Sequence, residues 1–139
     1  MLTLLALLIS APTDHPERLM LLMNLIDQVP TRAQMIEAGA GEHGEALVAI
    51  ARDASLPRYP RMRAAGSLAL FDTPESRAAL GVILDQVEDQ EVQIQALVAL
   101  VHLEGARLTP RLQALKQHPN PELRAAAARQ LDRLVRERL

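Results

Sequence analysis

The stretch HPNPELRAAAARQL (residues 118–131) decides the fold class. It contains a proline-punctuated turn and a capped helix start, and then an arginine, four alanines and further on a leucine. Alanine buries little apolar area, so a helix that buries alanines must gain from close approach. Small residues let the axes of two helices come within ~8–10 Å of each other. The stretch therefore predicts a helix pressed against neighbouring helices.

Two upstream segments repeat this pattern at offsets of 30 and 31 residues. The three matching blocks are MRAAGSLAL, VQIQALVAL and LRAAAARQL. In each block an aliphatic residue is followed four positions later by a small residue and eight positions later by leucine. These positions share one face of a helix. The repeat positions are Met62, Gly66 and Leu70, then Val92, Ala96 and Leu100, then Leu123, Ala127 and Leu131.

A second helical pattern lies between these blocks. TPESRAALGVILDQ offers Thr73 as an N-cap and Pro74 at the first helical position, and LTPRLQALKQ echoes it with Thr109 and Pro110. We call helices of the first pattern first-type helices and those of the second pattern second-type helices. Their alternation predicts an all-α fold, a right-handed α-solenoid of about three to four helical hairpins.

Small residues on the first-type helices are interpreted as contact surfaces between successive hairpins. Leucine at Ala127 is expected to overpack such a surface. Gly66 supports this interpretation, because glycine inside a helix costs ~1 kcal/mol relative to alanine and so indicates a packing reason.

The block at residues 123–131 resembles the HEAT-like repeat of the phycobilisome-lyase type, Val/Leu-Arg-x-x-Ala-Ala-x-x-Leu. The matching residues are Leu123, Arg124, Ala127, Ala128 and Leu131. The block at residues 62–70 matches in part, with Arg63 as its arginine. In VQIQALVAL, Gln93 replaces the arginine, so we expect a polar contact to be missing there.

The resemblance covers residues 57–139 and implies HEAT-like hairpins and a bacterial source. Residues 1–56 are expected to form N-terminal helices and a divergent capping repeat of the same single domain. Their apolar run at residues 2–9 is far shorter than the ~20 residues that span a bilayer. Retained as a helix, it favours a cytoplasmic protein. As part of a signal segment at residues 1–11, it would imply export.

Composition argues against several function classes. Aromatic residues make up 1% of the chain and its pI is near 6.1, which disfavours a nucleic-acid surface. No cysteine is present. The four histidines (His15, His43, His102 and His118) are interpreted as loop or surface residues rather than metal ligands. No serine lies in a nucleophile motif, and no cofactor is expected.

The sequence therefore predicts a non-catalytic interaction module that binds a protein or peptide on the concave face formed by the second-type helices. The predicted contact residues are Arg52, Arg77, Arg111 and Lys116. The alternative is an accessory or lyase-like subunit that holds a small ligand or cofactor between repeats. Self-association through apolar edges is a third interpretation.

Overall fold

The computed structural model describes residues 14–138, and its regular structure is helical throughout that range. The α-helices are α1 (Glu17–Met23), α2 (Arg32–Glu37), α3 (Glu45–Arg52), α4 (Arg58–Ser67), α5 (Pro74–Gln86), α6 (Gln90–Glu104), α7 (Thr109–Leu115) and α8 (Pro121–Glu137). Short 3-10 helices, Leu68–Leu70 and Gly105–Leu108, follow α4 and α6. The apolar run at residues 2–9 lies outside the described residues.

The helices stack in two rows. The first-type helices α4, α6 and α8 pack side by side, and α1 extends their row by packing against α4. The second-type helices α3, α5 and α7 lie along the other side, each packed most closely against the first-type helix that follows it. This pairing arises because only residues 87–89 separate α5 from α6, whereas α4 is followed by a 3-10 helix and a loop. The predicted all-α solenoid of paired helices is confirmed.

Side-chain caps fix the starts of four of the eight α-helices within residues 14–138, namely α2, α5, α6 and α8. Thr73 caps α5 by accepting a hydrogen bond from the Ser76 amide at 3.1 Å, and Pro74 occupies the first helical position, as predicted. Asp89 caps α6 and Asn120 caps α8 in the same way. Thr109 differs: it lies inside α7, because the 3-10 helix before it continues directly into the α-helix.

The interior between the rows is built from alanine and leucine. Ala96 in α6 and Ala127 in α8 are fully buried, as are Ala64 and Ala65 in α4. In α4 the buried positions come two residues earlier in the chain than the positions that the sequence repeat predicts. Leu68 is therefore buried, whereas Leu70 is 43% exposed. The other repeat positions of α4, Met62 and Gly66, are half-buried, whereas those of α6 and α8 are buried except for the half-buried Leu131.

Polar side chains near the starts of the first-type helices close the ends of the helices before them. Arg61 donates to the carbonyl of Ala51 at 3.1 Å, and Gln93 donates to the carbonyl of Leu84 at 2.9 Å. Both carbonyls belong to the last turn of a helix, where no intrahelical partner exists. The expectation that a polar contact is missing at Gln93 is therefore wrong in part. Gln93 makes a contact of its own, to a helix carbonyl rather than to the loop carbonyls that the matching arginine of α8 contacts. Arg124 donates to carbonyls of the preceding loop, those of His118 and Pro119.

Candidate functional site

Three of the four basic residues predicted as contacts on the second-type helices have side-chain partners within the chain. Arg77 forms an ion pair with Asp72, and Arg111 forms one with Asp85 at 2.5 Å. Arg52 reaches the side-chain oxygen of Gln86 at 3.4 Å. The fourth predicted residue, Lys116, is exposed immediately after α7.

The structure brings two of these four residues together. Arg77 and Arg111 line a shallow groove of about 550 Å³, in which Asp85 and Glu104 supply opposite charges. A Cβ at Gly81 would lie 3.3 Å from the guanidinium of Arg111, so this glycine gives Arg111 room to cross α5. Arg52 lines separate depressions near the end of α3. The groove on the second-type helices is therefore of mixed charge.

The opposite side of the stack carries a second groove, of about 500 Å³, between α4 and α6. We call it the apolar groove. Its apolar lining comes from Val29, Met62, Ala69, Leu70, Val98 and Ala99. Its polar lining comes from Tyr59, Arg63, Ser67, Gln95, His102 and Arg133, with Gly66 between them. Leu70 is 43% exposed and Val29 is 82% exposed.

One wall of the apolar groove is a loop that α4 holds in place. The loop follows α1, and the hydroxyl of Tyr59 donates to its Leu25 carbonyl at 2.8 Å. Arg63 donates to the Gln28 carbonyl at 2.8 Å and to the Tyr59 hydroxyl at 3.1 Å. The guanidinium of Arg63 also lies 5.8 Å from the centre of the Tyr59 ring, a cation–π distance. These contacts fix Val29 at the edge of the groove.

The charged residues that line the apolar groove are all basic. Within residues 14–138 no carboxylate lies at ion-pair distance from Arg63, whereas Arg133 pairs with Glu137 at 3.0 Å. His102 is exposed on the same side. The groove thus combines an apolar floor with a guanidinium whose charge no neighbouring carboxylate in that range compensates.

A partly buried hydrogen-bonded pair, His15 and Asp53, ties the start of α1 to the end of α3. His15 Nε2 lies 2.6 Å from Asp53 Oδ2, and the other carboxylate oxygen accepts from the amide and hydroxyl of Ser55. The hydrogen bonds from Ser55 and then that from His15 lower the pKa of Asp53 to about 2. Because α1 leads into the loop beside Val29, this pair supports one end of the apolar groove.

The remaining histidines lie apart from one another. His43 faces Glu75 at 3.4 Å, and His118 accepts from the Asn120 amide within the turn before α8. Across residues 14–138 no group of three His, Asp or Glu side chains is placed to hold a metal ion.

Sequence reasoning did not identify the apolar groove. One of its lining residues, Leu70, is assigned to the buried face by the repeat register, and the two-residue shift in α4 turns it outward. Tyr59 offered a signal, since it is one of only two aromatic residues in the chain. A lone aromatic beside an arginine four residues later indicates a helix surface that both side chains cover.

Two rows of paired helices, closed by polar contacts at their ends, define a helical repeat protein. A family model described as HEAT repeats matches residues 44–132, so the chain belongs to the HEAT repeat family. Proteins of this family generally mediate protein–protein interaction or scaffolding and are generally non-catalytic. No curated protein and no solved structure gives a significant match to the chain. No helix within residues 14–138 combines the length and the apolar character that a membrane crossing requires.

Proposed function

We propose that the chain is a non-catalytic interaction module that receives a protein partner in the apolar groove. The observation that carries this proposal is the exposure of Leu70 and Val29, which both line a preformed concavity. Clustered exposed aliphatic side chains beside a groove are typical of protein interaction sites. The family's general role in protein binding supports the same function.

The second-type helices supply the competing surface, with Arg52, Arg77, Arg111 and Lys116 as its predicted contacts. A partner there would have to compete with the ion pairs of Arg77 and Arg111. The free energy gained from an ion pair with a carboxylate of the partner would be largely offset by the loss of the internal ion pair, because the two interactions are chemically alike. The apolar groove requires no such exchange.

The volume of the apolar groove favours a second candidate function. Small-molecule sites usually measure ~300–1,000 Å³, and about 500 Å³ lies within that range. The groove also lies between helices of successive hairpins. An accessory subunit that holds a small ligand between repeats would use the same residues.

Selection of a displayed library of random peptides on the full chain tests the proposed function. We expect the enriched peptides to bind wild-type protein and to lose at least about tenfold in affinity with Leu70→Asp, since the change places a charge on the apolar floor. Val135→Asp is the matched control, because Val135 is an exposed aliphatic residue on α8 that does not line the groove.

Failure to enrich any peptide, or binding that Leu70→Asp leaves unchanged, would contradict the proposed function. A thermal-shift screen of metals and cofactors addresses the second candidate. Stabilisation by one of these compounds that Leu70→Asp abolishes, without any enriched peptide, would favour the small-ligand function.

A further inference from the structure

The charge and shape of the apolar groove specify the chemistry of its occupant. Every ionisable side chain in its lining is a base or a phenol, and none is a carboxylate. An occupant with an apolar surface alone would cover Arg63 without compensating its charge, which costs free energy. An occupant that carries a carboxylate at that point would form the ion pair that the described chain itself does not supply.

Arg63 is positioned for this role before anything binds. Arg63 is half-buried as a residue, and its guanidinium is held by the Gln28 carbonyl and the Tyr59 hydroxyl, both of which are uncharged. A guanidinium has five N–H donors in a fixed plane, so these two bonds leave donors available for a carboxylate. A preorganised donor loses less conformational entropy when the ion pair forms.

The form of the occupant follows from the walls of the groove. Residues 14–138 contain no strand whose edge could pair with an extended peptide. The floor instead lies between two packed helices, α4 and α6, and has aliphatic side chains along it. This arrangement suits the helix-in-groove mode, in which residues at i, i+3, i+4 and i+7 of an amphipathic helix enter the groove.

We propose that the apolar groove binds an amphipathic helical segment of a protein partner, with aliphatic side chains on the floor and an Asp or Glu carboxylate paired with Arg63. This inference rests on the proposed function and adds the chemistry of the partner. It assigns Arg63 as the residue that fixes the register of the bound helix, and Leu70 and Val29 as its flanking apolar contacts.

The test uses synthetic peptides made from the most enriched library sequences and the full chain. We expect these sequences to place aliphatic residues at helical spacing and to include Asp or Glu. Replacing that acid by its amide, or introducing Arg63→Gln, should each weaken binding roughly three- to tenfold. Combined, the two changes should cost little more than one alone, because they remove the same ion pair. Arg63→Lys should retain part of the affinity.

The outcomes separate this inference from the proposed function. Peptides that depend on Leu70 but lack an acid, or whose acid and Arg63 contribute additively, would overturn the inference and leave the proposed function intact. Binding that is indifferent to Leu70 would overturn both. A dimer in light scattering that Leu70→Asp dissociates would show that a second copy of the chain occupies the groove, which would also overturn the inference.

Discussion

The two sides of the helix stack differ less in the number of their charges than in how those charges are partnered. On the second-type helices, Arg77 and Arg111 are paired with Asp72 and Asp85. On the first-type helices, Arg63 is held only by a carbonyl and a hydroxyl. Each groove is lined by two arginines, so the partners of these arginines, rather than their number, distinguish the two sides.

The comparison indicates that an arginine contributes little to binding a carboxylate when it is already paired with a carboxylate of the same chain. Exposed ion pairs are individually worth ~0–1 kcal/mol, so breaking one costs little but gaining an equivalent one adds little. An arginine held in place without a carboxylate can gain the whole interaction. The apolar side chains around it then decide which carboxylate is selected.

Overpacking the interior should have the largest effect, because the spacing of the helices determines the structure of both sides of the stack. Ala127→Leu adds bulk at a fully buried position of α8, which packs against α6 and α7. We expect the free energy of unfolding in urea to fall by about 1–3 kcal/mol. Ala125→Leu, at an exposed position of the same helix, is the control and should change it by less than about 0.5 kcal/mol.

Equal effects of the two alanine variants would show that helix propensity, rather than close packing, explains the alanines of α8. Such a result would also contradict the argument that close packing of the interior sets the helix spacing on both sides of the stack.

Removing the carboxylate of Asp53 should affect α1 and the loop beside the apolar groove, and spare the groove that Arg77 and Arg111 line. The folded-state pKa of Asp53, about 2, lies below the usual aspartate value of 3.8. Its carboxylate therefore stabilises the fold above pH ~4, and this contribution is lost as the pH falls towards 2. Asp53→Asn should cost up to about 2 kcal/mol at pH 7 and much less near pH 2. Urea unfolding across this pH range provides the measurement.

Hydrogen exchange of the same variant sharpens the comparison. Because His15 and Asp53 hold the start of α1, we expect faster exchange in α1 and in the loop beside Val29, with α7 unchanged. Asp132→Asn is the control, since Asp132 is exposed on α8 and its side chain forms no ion pair within residues 14–138. A cost for Asp53→Asn that stays constant from pH 7 to pH 2 would contradict the proposed linkage.

The smallest expected effect concerns the arginines on the second-type helices. Arg77→Ala and Arg111→Ala should each change the affinity for groove-selected peptides by less than about twofold, since their charges are compensated within the chain. Fluorescence anisotropy with the same labelled peptide measures this directly. A loss equal to that of Arg63→Gln would move the binding surface to the second-type helices, as the sequence alone predicts.

The fold follows from the sequence because its signals are local and repeated. Thr73 and Pro74 start α5 where the pattern places them, and the spacing of Ala96 and Ala127 identifies the buried faces of α6 and α8. The sequence does not predict which face of α4 is buried. Met62 and Leu70 have the helical spacing of a buried face, but so do Ala64 and Leu68, which are the residues that are buried. Only contact with the preceding helices selects one of the two faces.

The apolar groove could not be predicted, for a different physical reason. Its wall depends on Tyr59 and Arg63 reaching carbonyls of Leu25 and Gln28, more than thirty residues earlier in the chain. Backbone acceptors carry no sequence signal, since every residue has one. Likewise, the ion pairs that neutralise Arg111 and Arg77 become visible only when the helices are in place.

The hydrogen bond from Gln93 to the carbonyl of Leu84 has a consequence for how such repeats diverge. An amide nitrogen performs the task that Arg61 performs one hairpin earlier, so the position requires donor reach and not positive charge. Drift between arginine and glutamine at this position would alter the net charge of a repeat array while leaving its geometry intact. The charge of a repeat in this chain is therefore separable from the hydrogen bond that closes the preceding helix.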